Sequence, residues 1–299
     1  MVPPVETPDR SPTPMRGPLE RAAAKSPGGA RPESFGENRS QKKNYAQNLS
    51  TELAMMVADC LRPHYPRARI TPWPDGTGHE FTVGAKLDSK KTDVGVWDDA
   101  AGLILGVSIK TYSFRDFHGA TRTRPAHLGR YVRNVKRNDM ELRDEADILH
   151  RRQPYAVLFA LFFLPRDAAW DGATGQSSFA HAVFTFRKRA GRTTADATRS
   201  DLFEKVYIGL FDDDGTVGFF DVEDAPPRNQ PPANTITLAQ LVDAMRTAVV
   251  VRNEGVAPED RYAPEDPAWS TPPLPEGVEM EGPLSDTSAG EDTDEGDEE

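Results

Sequence analysis

Asp93, Ser108 and Lys110 are the residues of this 299-residue chain whose types and spacing point to chemistry. They sit in two short apolar runs, Thr92-Asp93-Val94-Gly95-Val96-Trp97 and residues 103–111, joined by Asp98-Asp99-Ala100-Ala101-Gly102. Runs of this length bounded by turn residues predict two strands of a hairpin. Side chains on a strand alternate between faces. Val94 and Val96 on the first strand, and Leu103, Leu105, Val107 and Ile109 on the second, would point into a core. Asp93, Ser108 and Lys110 then share the opposite face. Folding about residues 98–102 sets Asp93 across from about Ser108, which brings a carboxylate and a lysine together. Gly95 and Gly106 are expected to keep the surface beside them open to a ligand. A carboxylate can hold Mg²⁺, which polarises a phosphoryl oxygen and activates water. A lysine offsets the charge that grows on the phosphate. Metal-assisted phosphodiester hydrolysis needs that pairing. Without a function attached, the same pair is a surface hairpin with an ion pair of little energetic value.

The neighbouring elements must hold this hairpin in place. A helix over residues 41–61 follows from Tyr45, Leu49, Leu53, Met56 and Cys60 at three- and four-residue spacing, with Pro63 ending it. A stretch punctuated by Pro and Gly, 71–78, precedes strands at 80–85, 93–97 and 103–110. A second helix is expected over 127–150, then a strand at 154–164 apolar enough to be buried on both faces. A helix at 179–189 and a hairpin of 206–211 with 216–222 around Asp213-Asp214-Gly215 come next. A closing helix at 238–251 is capped by Thr237. The order predicts an α/β fold with a mixed central β-sheet flanked by helices.

Thr92-Asp93 followed by Ser108-Ile109-Lys110 at the end of the next strand resembles the PD-(D/E)XK signature of restriction-endonuclease-like nucleases. The order helix, three strands, helix, strand over about residues 41–164 is similar to the core of that superfamily. The resemblance implies that Asp93 binds metal, that Lys110 is the catalytic lysine, and that the cofactor is Mg²⁺. It implies double-stranded DNA as substrate, most simply for a type II restriction enzyme in host defence, and a homodimer. Thr92 stands where the family has proline, and Ser108 where it has a second acid. A hydroxyl is a poor Mg²⁺ ligand, and some members recruit a carboxylate from elsewhere, often the first helix. Glu52 is the first candidate for that carboxylate and Glu80 the second. An inactive DNA-binding protein on the same fold and a repair or resolvase-type nuclease stay open.

Lys110 begins a basic segment in which Asp116 is the only acid before Arg137. Arg115, Arg122 and Arg124 lie in its loop. Arg130, Arg133, Lys136 and Arg137 follow, with Arg130, Arg133 and Arg137 at helical spacing. This segment is expected to meet DNA phosphates through salt-sensitive contacts, with Arg122, Arg124 or Asn134 available to base edges. The alternative is a solvated helix balanced by Asp139, Glu141, Asp144, Glu145 and Asp147. His118 and His127 have no Cys or His partner that would make a metal site.

The whole-chain charge of −11 is misleading. Residues 252–299 carry a net −14, which leaves +3 for residues 1–251. Residues 1–37, rich in Pro, Gly and Ser, and the acidic residues 254–299 are expected to be disordered. A nuclease domain is expected between them, at 38–253. Cys60, the only cysteine, excludes an intramolecular disulfide and suits a reducing, cytoplasmic setting. The longest apolar run, around 156–164, is far short of a membrane span.

Overall fold

A computed structural model describes residues 8–78, 81–83, 90–172 and 175–257. Six strands form the central sheet. In chain order they include β1 (Arg69–Thr71), β4 (Val94–Asp98), β5 (Gly102–Thr111), β8 (Val157–Pro165), β9 (Lys205–Phe211) and β10 (Val217–Asp221). The spatial order is β1-β4-β5-β8-β9-β10. Strands β5, β8 and β9 run parallel, and the outer pairs are antiparallel. Two small ribbons stand apart from this sheet, β2 (Phe81–Val83) with β3 (Lys90–Thr92), and β6 (Phe117–His118) with β7 (His127–Leu128). The molecule is therefore α/β, with a mixed sheet between helices.

Strand β8 is buried along its whole length, as a parallel strand covered on both faces must be. Its side chains divide strictly by parity. Val157, Phe159, Leu161 and Phe163 face a core made with helices α2 (Arg39–Leu61) and α5 (Leu238–Asn253). Leu158, Ala160, Phe162 and Leu164 face helices α3 (Val135–Arg152) and α4 (Ser178–Phe186). The five apolar residues expected to line α2 are all buried. Thr237 caps α5 in a reciprocal capping box with Gln240, which satisfies two amide donors at once.

Four expectations need correction. The first strand of the sheet is β1, at 69–71, and not residues 80–85. Residues 81–83 pair with β3 outside the main sheet, and Glu80 lies outside the described residues. Leu103 does not share a face with Leu105. A β-bulge pairs Val96 with Leu105 but Trp97 with Leu103, so Leu103 joins Trp97 in the α3 core. The second helix begins at Val135, because residues 127–128 are spent on pairing with 117–118. Finally, part of the segment expected to be disordered is built into the fold. Helix α1 (Arg16–Ala24) packs on α2 with Met15 and Ala22 fully buried. Met15 donates its amide to the Gly215 carbonyl, and Arg31 bonds both Asp213 and the Ser113 carbonyl. A helix resting on alanine carries no apolar stripe to betray it in sequence. Residues 258–299, most of the acidic tail, lie outside the described residues.

Candidate active site

The hairpin of β4 and β5 has the expected register at its open end. Val94 pairs with Val107, which continues to Asp93 opposite Ser108. Asp93 stands at the bend where the chain leaves β3 for β4. The buried Thr92 hydroxyl holds that bend by donating to the Val94 carbonyl at 2.8 Å. Beyond Val94 the ladder stops, and the Asp93 carboxylate replaces the missing backbone partner by accepting from the Ile109 amide at 2.6 Å. This contact fixes the acid against β5 one residue before Lys110.

Ser108 and Lys110 point away from the α2 core, towards α3, where a third residue meets them. Glu145 accepts a hydrogen bond from the Ser108 hydroxyl at 3.0 Å and lies 3.6 Å from the Lys110 ammonium. Its side chain is 7% exposed. Burial pushes the Glu145 carboxyl up; Lys110 and Ser108 oppose this, while Asp93 adds repulsion, and the net direction is upward. Burial pulls the Lys110 ammonium down, but Glu145, Asp93 and Glu141 more than reverse it, so Lys110 is held above its ordinary value. Lys90 on β3 also acts on Glu145. The cluster thus has two carboxylates and a firmly protonated lysine at the mouth of the β4–β5 hairpin.

The sequence brought Asp93, Ser108 and Lys110 together but missed Glu145. A signal was available. Val135, Leu142, Ala146 and Leu149 form the buried stripe of α3, and Glu145 falls inside it, three residues after Leu142 and four before Leu149. A charged residue inside an apolar stripe must be paired or functional.

Glu52 does not join the site. It lies on α2, which covers the opposite face of the sheet, and its carboxylate is clasped by Arg21 at 2.6 Å and Lys25 at 2.5 Å from α1. Those two contacts outweigh the effect of burial and hold it below the usual range. The glycines serve packing and not access. A Cβ on Gly95 would strike the Trp97 ring at 2.4 Å, and one on Gly106 the Leu158 side chain at 2.8 Å.

A groove of about 1050 Å³ opens beside the cluster. It starts at Thr111, one residue past Lys110, and at Glu141, one helical turn before Glu145. Arg115, Arg133, Asn134 and Arg137 line it, as does the N-terminal half of α2 with Arg39, Lys42 and Lys43, which the sequence did not suggest. The other expected DNA contacts are elsewhere. Arg122 and Arg124 are exposed at the tip of the arm made by β6 and β7, closed by a bond from the Thr121 amide to the Arg124 carbonyl. Lys136 is exposed on α3 outside the groove lining. Arg130 precedes the helix and is tied to the Gln176 carbonyl and to Asp171, so the expected helical stripe of Arg130, Arg133 and Arg137 does not form.

No protein-family model, no curated protein and no solved structure matches this chain. Function must therefore be argued from the cluster itself. Among the described residues, no group of three or more His, Cys, Asp or Glu is arranged to hold a metal ion. Two carboxylates are nevertheless what Mg²⁺ commonly takes from a protein, the rest of its shell being water and substrate oxygen. The repulsion between Asp93 and Glu145 is one that a divalent cation would relieve, so the donor set fits that ion.

Proposed function

We propose that this chain is a Mg²⁺-dependent endodeoxyribonuclease that works as restriction-endonuclease-like nucleases do, hydrolysing phosphodiester bonds of double-stranded DNA. One observation carries this reading: α3 delivers the Glu145 carboxylate onto Ser108 and beside Lys110, where the sequence signature lacks its second acid. A serine in that position then ceases to count against catalysis. Its hydroxyl orients the carboxylate that replaces it.

Asp93 and Glu145 would hold the ion, which when bound supplies Lewis-acid polarisation of a phosphoryl oxygen. The roles of the chain's own groups follow from their surroundings. Lys110 keeps its proton, because three acids act on its ammonium. It therefore serves as a fixed cation for the charge that builds on the phosphate and does not take a proton from water. The Ile109 amide holds Asp93, and Ser108 holds Glu145, so both carboxylates are set before substrate arrives. The basic groove beside them gives the DNA backbone a path towards Lys110. Restriction of foreign DNA and a two-fold dimer cutting both strands belong to this same reading.

The test is cleavage of mixed duplex DNA with Mg²⁺ by wild type and by Asp93→Ala, Lys110→Ala and Glu145→Gln, each checked for folding by circular dichroism. Discrete or limit fragments from wild type, lost in all three folded variants, are expected. Full activity in Glu145→Gln would overturn the assignment. No cleavage by wild type with Mg²⁺ or Mn²⁺ would leave a DNA-binding protein that does not cut.

A further inference from the structure

The groove beside the cluster offers more than a path for the backbone of a duplex. Duplex DNA is held by surfaces that run along its backbone or enter its grooves. A recess of about 1050 Å³ stands at the top of the size range of ligand clefts. Its lining pairs charge with aromatic rings. Arg39, Lys42, Lys43, Arg115, Arg133 and Arg137 face Glu37, Asp116 and Glu141, a basic surplus even after Arg137 is discounted for its 2.7 Å ion pair with Glu141. Tyr112, Phe114 and Phe117 also line the groove, with the Lys42 ammonium over the last two rings at 6.0 and 5.8 Å, which leaves the rim for stacking. At the rim, Phe35 is 53% exposed and meets Phe117 edge-on at 4.9 Å. An exposed phenylalanine next to a basic channel is the combination that binds single strands, where the backbone follows the charges and bases stack on the rings.

The geometry points to a single-stranded DNA segment as the occupant of this groove, entering past Phe35 and leading to the phosphate beside Lys110. The preferred substrate is then a duplex with a single-stranded arm or junction, bound ahead of an unbroken duplex. This rests on the nuclease reading above and narrows its substrate. The arm of β6 and β7, with Arg122 and Arg124 at its tip, is left to meet the duplex part.

Binding without cleavage separates the two claims. The full chain in EDTA is titrated, by fluorescence anisotropy, into three labelled DNAs of equal length: single-stranded, blunt duplex, and duplex with a single-stranded arm. The armed duplex and the single strand are expected to bind at least about tenfold tighter than the blunt duplex. Reversing the exposed charges, Arg39→Glu with Arg133→Glu, is expected to erase that preference. Phe35→Ala is expected to weaken single-strand binding by about tenfold. Arg246→Glu, on the remote helix α5, keeps the wild-type pattern. Equal or tighter binding of blunt duplex, or a preference that survives the double charge reversal, overturns the inference. A preference for arms without cleavage in Mg²⁺ would sink the nuclease reading and leave only the groove's single-strand binding standing.

Discussion

Two buried carboxylates in this molecule have opposite surroundings. Glu204, at the start of β9, lies 2.6 Å from Arg252, 3.5 Å from His150 and 3.8 Å from Arg192, and it also accepts the Leu158 amide. Burial pushes its carboxyl up, but these partners overwhelm that and hold it below the usual range. Glu145 is as deeply buried, yet it has one hydroxyl, Lys110 at 3.6 Å, a weaker pull from Lys90 and a second acid acting on it, and it is held above that range. Asp139 and Glu52 resemble Glu204, since each is matched by two cations and shifted downward. Among the described residues, Glu145 is the one buried acid whose charge the protein leaves under-compensated. A carboxylate neutralised on all sides is a structural pin, whereas buried acids with perturbed titration cluster at functional sites.

The comparison breaks most sharply on activity. Removing the Lys110 cation or the Glu145 carboxylate should lower single-turnover cleavage by about 10²–10³-fold or more, the usual cost of one group that stabilises transition-state charge. Glu204→Gln should leave cleavage per folded molecule unchanged. Equal losses from Glu145→Gln and Glu204→Gln would mean that the two acids do the same job.

Stability should rank the pair the other way. Glu204→Gln leaves Arg252 and Arg192 buried with their shared carboxylate gone, and breaking a buried ion pair costs about 3–5 kcal/mol. Glu145→Gln keeps a side chain of the same shape beside Ser108, and Lys110 retains Asp93 and Glu141. Its cost should be under about 1 kcal/mol. Urea denaturation of the two variants measures the gap. A Glu145→Gln protein as unstable as Glu204→Gln would make Glu145 another pin.

The contrast also explains what could be read from the sequence. Asp93, Ser108 and Lys110 were legible because a hairpin is local: strand parity and turn length alone fix who faces whom. Glu145 comes from a helix 35 residues beyond Lys110, and its meaning depends on how α3 is rotated over the sheet. Counted as one of several acids, it looked like surface charge. Counted against the Val135, Leu142 and Leu149 stripe, it is interior. The choice of Glu52 failed for a related reason. Its helix was found, but the two cations that neutralise it sit on α1, in a segment whose Pro- and Gly-rich composition concealed a nine-residue helix. The basic groove was half legible, since α3 and the loop before it were visible as a charge run, whereas Arg39, Lys42 and Lys43 join only through packing.

That clasp gives a milder test of the same distinction. Arg21→Ala with Lys25→Ala leaves Glu52 buried without a cation. The two lost side chains are 54% and 58% exposed, so solvent screening reduces the effect to about 1–3 kcal/mol. Cleavage should be unaffected, because the clasp lies across the sheet from the cluster. A loss of cleavage without a loss of stability would restore Glu52 to the active site.

The smallest effect is in pH dependence, and its sign differs between the two acids. Glu145 is raised in the folded state, so its contribution to stability is fully present below the unfolded carboxyl pKa and is lost as pH rises through the folded value. Glu204 is lowered, so its contribution is present above the unfolded pKa and is lost as pH falls through the folded value. Lys110 is raised too, but its change lies above the ordinary lysine range and is constant in this window. Urea midpoints for wild type and both glutamine variants from about pH 4 to pH 8 should therefore move in opposite senses. Glu145→Gln should gain on wild type as pH rises, whereas the deficit of Glu204→Gln should shrink as pH falls. Saturating Mg²⁺ should oppose the first trend by stabilising wild type and Glu204→Gln but not Glu145→Gln, since it binds only where both Asp93 and Glu145 remain. Parallel pH profiles for the two variants would show that the carboxylates are equally compensated, and the case for Glu145 as the missing acid would fall with that result.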